Sequence, residues 1–316
     1  MLYHNLDPEL PRNLPDLLRW RLSRRNLPPP PVERTVLPQS IHNDGSALRT
    51  GDNTLTWIGH ASIVLQLDGY TILCDPVWSN AITRFVPRLS QPGLNLENVP
   101  PPDLVLLSHN HYDHLDLPTL RRLDPKTQIF VPAGLRQYMH RRGFRHVQEF
   151  GWWDSTTVGP LRITFVPAQH WSRRLPWDTN KSWWGGYVIE GTQRVYFAGD
   201  SALFSGFQEV AARFPRLDWA ILPIGAYDPR WFMVGVHMNP EEAGEVWKLL
   251  GAQHMLPIHY GTFRLTDEPV GEPALRLRAW WEAQGLEQDR LWMPQLGETR
   301  RLDRIEQEQP LQPVGA

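Results

Sequence analysis

Residues 108 to 116, SHNHYDHLD, hold three histidines and two aspartates in nine positions. His109, His111, Asp113 and His114 are metal-coordinating residue types. Four of them in so short a stretch have no good packing explanation, because burying them together without a cation costs too much desolvation. His109 and His111 skip one residue and project together, while Asp113 and His114 follow a bend and reach a second point nearby. Imidazole with carboxylate, and without thiolate, suits zinc, with iron or manganese as alternatives. These residues cannot complete two coordination shells alone. Their partners are expected where other apolar runs end: His170 closes ITFVPAQH, Asp200 closes VYFAGD and His259 closes MLPIH. A carboxylate has two oxygens and can bridge two cations, so Asp200 is expected to link His109, His111 and His170 with Asp113, His114 and His259. Two metals about 3.5–4 Å apart lower the pKa of a shared water and yield a hydroxide nucleophile at neutral pH. That chemistry is hydrolysis.

The elements that must position these residues are short apolar runs beginning near Thr54. SIVLQL and YTILC read as strands joined by Asp68-Gly69, a pair suited to a type I′ hairpin. Further strands are expected at DLVLLS, QIFVPA, RITFVPA, GGYVIEG, RVYFAGD, LDWAILPIG and HMLPIH. Helical patterns fall at about 134–142, 203–214, 240–250 and 273–284, the third opening on NPEE with Asn239 as N-cap and Glu242 placed for a capping box. Ser108 onward is then the loop at the C-terminal end of a buried strand, where side chains can be aimed together. Upstream, Leu14, Leu17, Leu18 and Leu22 repeat at helical spacing with Trp20 beside them and Arg19, Arg21, Arg24 and Arg25 around them. This reads first as a covering helix that turns its arginines to water, and second as a helix lying on an anionic membrane surface. The division expected is an N-terminal extension with a proline-rich connector over 1–49, a catalytic domain over 50–303 and a tail over 304–316.

Composition narrows the partners. The chain has 316 residues, 41% of them hydrophobic, enough to bury a substantial core. A net charge of -2 leaves no electrostatic footprint for nucleic acid. Cys74 is the single cysteine, which excludes an internal disulfide framework and a cysteine-built zinc site. It reads as a small buried hydrophobe. With no secretory pattern and no long apolar span, the expected location is the cytoplasm, with peripheral membrane contact and a homodimer both compatible. Trp171, Trp177, Trp183 and Trp184 follow His170 closely and are candidates to line an acyl channel or an interfacial belt. Arg173, Arg174, Lys181 and Arg230 are candidates to steer a phosphate. His60 sits between two apolar runs and reads as a satisfied buried histidine without a catalytic part. His4, His42, His140, His146 and His254 read as surface or structural.

HNHYDH is similar to the HxHxDH signature of the metallo-β-lactamase superfamily, and His170, Asp200 and His259 follow in that superfamily's order. Within it, TWIGHAS, DPVWS, GWWD, QHW, FAGDS, PIGAYDPRWFM and IHYGTF resemble N-acyl-phosphatidylethanolamine-hydrolysing phospholipases D over roughly residues 50–303. The resemblance implies an α/β fold, the αβ/βα four-layer sandwich with two central mixed sheets and metals at one edge. It implies two zinc ions and hydrolysis of a phosphodiester in a phospholipid, giving phosphatidic acid and an N-acylethanolamine. It also places Asp75 and His237 near the active centre without making them metal ligands. Asp75, following a strand, would orient a ligand histidine, and His237 would contact the phosphoryl group or protonate a leaving oxygen. Asp113, Asp75 and His237 are therefore the catalytic candidates. Ascorbate-6-phosphate lactonases share the signature more distantly, so a lactone or a small soluble phosphodiester is the rival substrate. A metal-binding scaffold without turnover is the non-enzyme rival, disfavoured by the complete ligand set.

Overall fold

The structure, a computed structural model, describes residues 2–8, 14–24, 30–83 and 85–302. The expected tail over 304–316 and Arg25 lie outside the described residues.

The first sheet begins with an antiparallel meander, β1 (Thr54–Gly59), β2 (Ser62–Leu67) and β3 (Tyr70–Cys74). Asp68 and Gly69 both take positive φ, 51° and 85°, so the β2–β3 connection has the twist a type I′ turn supplies. A small antiparallel pair, β4 (Ala81–Ile82) and β5 (Val86–Pro87), stands apart. β6 (Leu104–Leu106), β7 (Gln128–Pro132) and β8 (Val147–Phe150) then add in parallel to β3. The second sheet comprises β9 (Ser155–Val158), β10 (Leu161–Pro167), β11 (Gly185–Glu190), β12 (Arg194–Phe197), β13 (Trp219–Pro223) and β14 (His254–Ile258). β15 (Thr299–Arg301) returns to pair with β1.

Strands that are apolar at every position need cover on both faces. Ile63, Leu65, Ile72, Leu104, Leu106 and Phe130 pack toward the second sheet, in one core with Ile163, Phe165, Tyr187, Ile189 and Phe197. Their alternating neighbours Val64, Leu73, Val105, Ile129 and Val131 form a separate core. That core includes residues of or beside two short helices, α2 (Leu117–Leu120) and α3 (Arg136–His140). On the far side, α4 (Gly206–Arg213), α6 (Pro240–Leu250) and α7 (Glu272–Ala283) cover the second sheet with Phe207, Val210, Val246, Trp247, Leu277 and Trp281. The result is helix, sheet, sheet, helix: the αβ/βα sandwich.

Two helices border the ligand-bearing edge. α5 (Arg230–Met233) precedes His237, and α6 opens two residues beyond Met238 on the expected capping box, with Asn239 Oδ1 accepting from the Glu242 N–H at 2.8 Å. α1 (Leu14–Ser23) turns Trp20 into a small cluster with Leu17, Trp171, Phe232, Met233 and Val236, and Trp20 Nε1 donates to Asp267. It covers the body, as expected, while Leu18 and Leu22 stay 50% and 58% exposed. Among the described residues no helix is long and apolar enough to cross a membrane.

Candidate metal centre

Every expected ligand follows the C-terminal end of a strand. Ser108 to His114 come after β6, His170 after β10, Asp200 after β12 and His259 after β14, and Asp75, which is not an expected ligand, comes after β3. The two sheets are joined at this edge: the Gly185 N–H donates to Ser108 O at 3.0 Å and Tyr187 Oη donates to Leu107 O at 3.0 Å. Gly199 (φ 62°) brings Asp200 close to the histidine loop. A Cβ there would fall 2.5 Å from Ser108 Cβ, so this approach requires glycine. His60, Asp75 and His259 also hold positive φ of 53°, 40° and 65°, strain of the kind that gathers at functional sites.

The hydrogen bonds around the ring determine which nitrogens carry lone pairs. Asp75 Oδ2 accepts from His114 Nδ1 at 2.6 Å and from Ser108 Oγ at 2.5 Å, while Oδ1 accepts from the Ser108 N–H at 2.8 Å. The Ser108 hydroxyl thus donates its hydrogen bond to Asp75, and His109 Nδ1, 2.9 Å away, must donate to Ser108 Oγ. His170 Nδ1 donates to Val236 O at 2.9 Å. In the neutral rings, therefore, His109, His114 and His170 each present a bare Nε2. Two of these face His111 Nδ1, at 2.8 Å from His109 and 3.2 Å from His170. Asp200 Oδ2 lies at the centre, 3.1 Å from Nε2 of both His114 and His259 and 3.8 Å from Nε2 of both His109 and His170. Asp113 Oδ2 stands 3.5 Å from Nε2 of both His114 and His259.

Burial alone disfavours every charge here. It drives His109 well below the ordinary imidazole range, with His114, His111 and His170 adding to it, and brings His111 and His170 down to about 3. For Asp113 and Asp200 the flanking histidines outweigh burial and hold both carboxyls well below their usual range. For His114 and His259 the carboxylates outweigh it, holding His114 well above the ordinary range and pushing His259 up to about 9.

Cations fit this donor set. His114 Nε2 and His259 Nε2, which face the shared carboxylates, and Asp200 Oδ1 are buried without an aligned hydrogen-bond partner. Polar atoms so enclosed are costly unless something coordinates them. His109, His111 and His170 form one group with ligand atoms in mutual reach, and Asp113, His114 and His259 fall in another together with His60. His237 joins Asp200 and His170 in a third grouping, its ring 5.0 Å from that of His170. Asp75 holds the far nitrogen of His114.

The description "Beta-lactamase superfamily domain" matches residues 70–260. The chain belongs to this superfamily. It is 36% identical over 72% of its length, and 69% of the relative's, to N-acyl-phosphatidylethanolamine-hydrolyzing phospholipase D 1 of Caenorhabditis elegans. It is 34% identical to the mitochondrial N-acyl-phosphatidylethanolamine-hydrolyzing phospholipase D of Saccharomyces cerevisiae, over 86% of this chain and 63% of that one. Among solved structures, a metallo hydrolase from Ignicoccus hospitalis superposes with a TM-score of 0.60 at 24% identity, covering 79% of this chain and 98% of the other. The metallo-β-lactamase fold is thereby shown, and this superfamily member is a metal-dependent hydrolase.

Several expectations about this hydrolase need correction. His60 is buried as read, but only partly satisfied: its Nε2 lies 3.0 Å from Asp113 Oδ2, while Nδ1 has no partner. The loop residues together with His170, Asp200 and His259 already gave a full ligand set, and the only hint of His60 in the sequence was a histidine, in GHAS, wedged between two apolar runs. Arg174 does not face a phosphate. It is largely buried, and its Nη1 donates to the carbonyls of Asn110, His111 and Leu115 at 2.9, 3.2 and 2.7 Å. It thereby ties down the ligand loop. Arg230 donates to His237 O at 2.7 Å and pairs with Glu242, so it holds the His237 loop. Trp184 lines no channel, being fully buried with Nε1 donating to Ala168 O and Asn5 Oδ1. Trp183 stacks between Trp152 and Tyr3. Of that run only Trp171 reaches the site, its ring 4.6 Å from that of His111.

Proposed function

We propose that this chain is a binuclear phosphodiesterase of phospholipase D type that hydrolyses N-acylated phosphatidylethanolamine or a closely related phospholipid. The observation that carries the reading is Asp200 Oδ2, set between the two ligand groups and within 3.8 Å of four imidazole nitrogens. His109, His111 and His170 would hold one ion, Asp113, His114 and His259 the other, and Asp200 both. Zinc suits this nitrogen-rich set, with manganese or iron as alternatives. Two such ions supply the Lewis acidity that activates water and offsets charge on a phosphoryl group.

The chain's own groups do the rest. Asp75 keeps the His114 tautomer fixed. His237 is driven well below the ordinary imidazole range by burial, against the pull of Asp200. It therefore meets substrate as a neutral ring, better suited to donate a hydrogen bond to a phosphoryl oxygen than to protonate a leaving group. Trp171, with the α1–α5 cluster that it joins, offers an apolar wall beside His170 for an acyl chain. Exposed Arg173 and Lys181 remain available to attract the phosphate, and the outer face of α1 supports contact with an anionic membrane from the cytoplasmic side. The two phospholipase relatives support the substrate class.

Elemental analysis of protein purified without chelator should find close to two transition-metal ions per chain, and Asp200→Asn should lose at least one. A hydrolysis panel of N-acylated phospholipids, soluble diesters and lactones decides the substrate. Preference for a lactone would overturn the phospholipase reading and leave the hydrolase intact.

A further inference from the structure

His60 occupies the β1–β2 turn, and the fold holds it there by both backbone and side chain. Its N–H donates to Thr262 Oγ1 at 2.7 Å, while its carbonyl accepts from Trp57 Nε1 at 2.9 Å and from the backbone N–H of His259 at 3.0 Å. Three hydrogen bonds thus stabilise a left-handed backbone that a histidine rarely adopts. The side chain is 1% exposed, lies 4.1 Å ring to ring from His259, and has one polar contact, from Nε2 to Asp113 Oδ2 at 3.0 Å. Nδ1 is buried without a partner.

An ionised carboxylate only accepts hydrogen bonds, so the proton of this ring sits on Nε2. Coordination through Nε2 would move that proton to Nδ1, where no acceptor waits, and would leave Asp113 without its donor. We infer that His60 is a positioning residue: its Nε2–H orients Asp113 for the second ion, and its carbonyl seats the strand end that carries His259. One residue thereby sets two of the three protein groups that distinguish the carboxylate-bearing half of the site from the all-histidine half. The inference rests on the two-ion reading above. Partners in this supporting position typically alter metal affinity by about 10- to 100-fold.

The test compares two amide replacements in chelator-stripped full-length protein titrated calorimetrically with zinc. His60→Gln places a donor nitrogen where the imidazole Nε2 stands. His60→Asn also tolerates the left-handed backbone but is too short to reach Asp113. In the wild type two ions should bind. In His60→Asn the first should bind normally and the second about 10- to 100-fold more weakly, with His60→Gln recovering most of that loss. Thermal melting of the stripped proteins should show all three folded. Wild-type affinity for both ions in His60→Asn, or equal loss in the two variants, would overturn the inference while the two-ion reading stands. A wild type that binds a single ion would overturn both.

Discussion

Asp75 is not an expected metal ligand, yet its carboxylate holds His114 directly and His109 through Ser108. Replacing one oxygen with an amide sets an N–H₂ against a group that already donates, either the Ser108 N–H or the pair formed by Ser108 Oγ and His114 Nδ1. Asp75→Asn should therefore cost about 1–3 kcal/mol of stability in the stripped protein, from a buried donor left unmatched. It should also weaken metal uptake about 10- to 100-fold by freeing the His114 tautomer. Denaturant titration and zinc titration read the two effects separately, and an unchanged zinc affinity would remove Asp75 from this supporting role. At this scale the sequence was informative wherever chemistry concentrates in one stretch or stands at the end of an apolar run. His109, His111, Asp113, His114, His170, Asp200 and His259 lie together at one edge of the sandwich. His60 escaped because its importance lies in a contact across 53 residues, and no spacing rule encodes that.

The ligand loop after β6 has little regular structure of its own, and its order comes from elsewhere. Arg174 supplies it: a buried guanidinium that donates to three of the loop's carbonyls and lies 3.9 Å over the ring of Tyr112. Hydrogen bonds from a charged donor contribute about 1.5–3 kcal/mol each, and removing this group takes from the Asn110 and Leu115 carbonyls the donor that bonds them, while His111 O keeps the N–H groups of His114 and Leu115. Arg174→Met, which keeps most of the apolar stem, should destabilise the protein by about 3 kcal/mol and lower affinity for both ions, since His111 and Asp113 share the loop. A stripped protein that melts at the wild-type temperature would show the loop to be ordered without Arg174. Strands and helices were readable because apolar periodicity and capping residues are local signals, as the Asn239–Glu242 box and the Asp68-Gly69 turn illustrate. The role of Arg174 was not, because a cation beside aromatic residues looks the same whether it faces solvent or backbone carbonyls. Trp184 misled for a similar reason. Its proximity in sequence to His170 says nothing of which side of the strand its ring occupies.

Across the whole molecule, the catalytic edge and the N-terminal segment meet at one place. Asn5 brackets the backbone of His170, its Nδ2 donating to His170 O at 2.8 Å and its Oδ1 accepting from the His170 N–H at 3.1 Å. α1 then packs Trp20 and Leu17 on the wall that contains Trp171, leaving Leu18 and Leu22 outward beside Arg21, with Arg19 set 4.6 Å over the exposed ring of Trp231. Apolar and basic groups presented together suit an anionic lipid surface, because burial of the leucines and attraction of the arginines act in the same direction. Should that face dock the enzyme, exchanging Leu18 and Leu22 for serine would lower hydrolysis of an N-acylated phospholipid in vesicles containing anionic lipid. Turnover of a short-chain diester dissolved as monomer would stay at the wild-type rate, since neither leucine touches the ligands. Acyl length offers the complementary measurement: each methylene that leaves water contributes up to about 0.8 kcal/mol, so kcat/KM should climb along a homologous series. Trp171→Ala should flatten that climb, because its ring is the aromatic surface adjoining both His111 and the α1 cluster. Equal rates for short and long chains in the wild type, together with unaltered vesicle activity in the Leu18→Ser/Leu22→Ser double variant, would leave a metal-dependent hydrolase whose substrate is small and soluble.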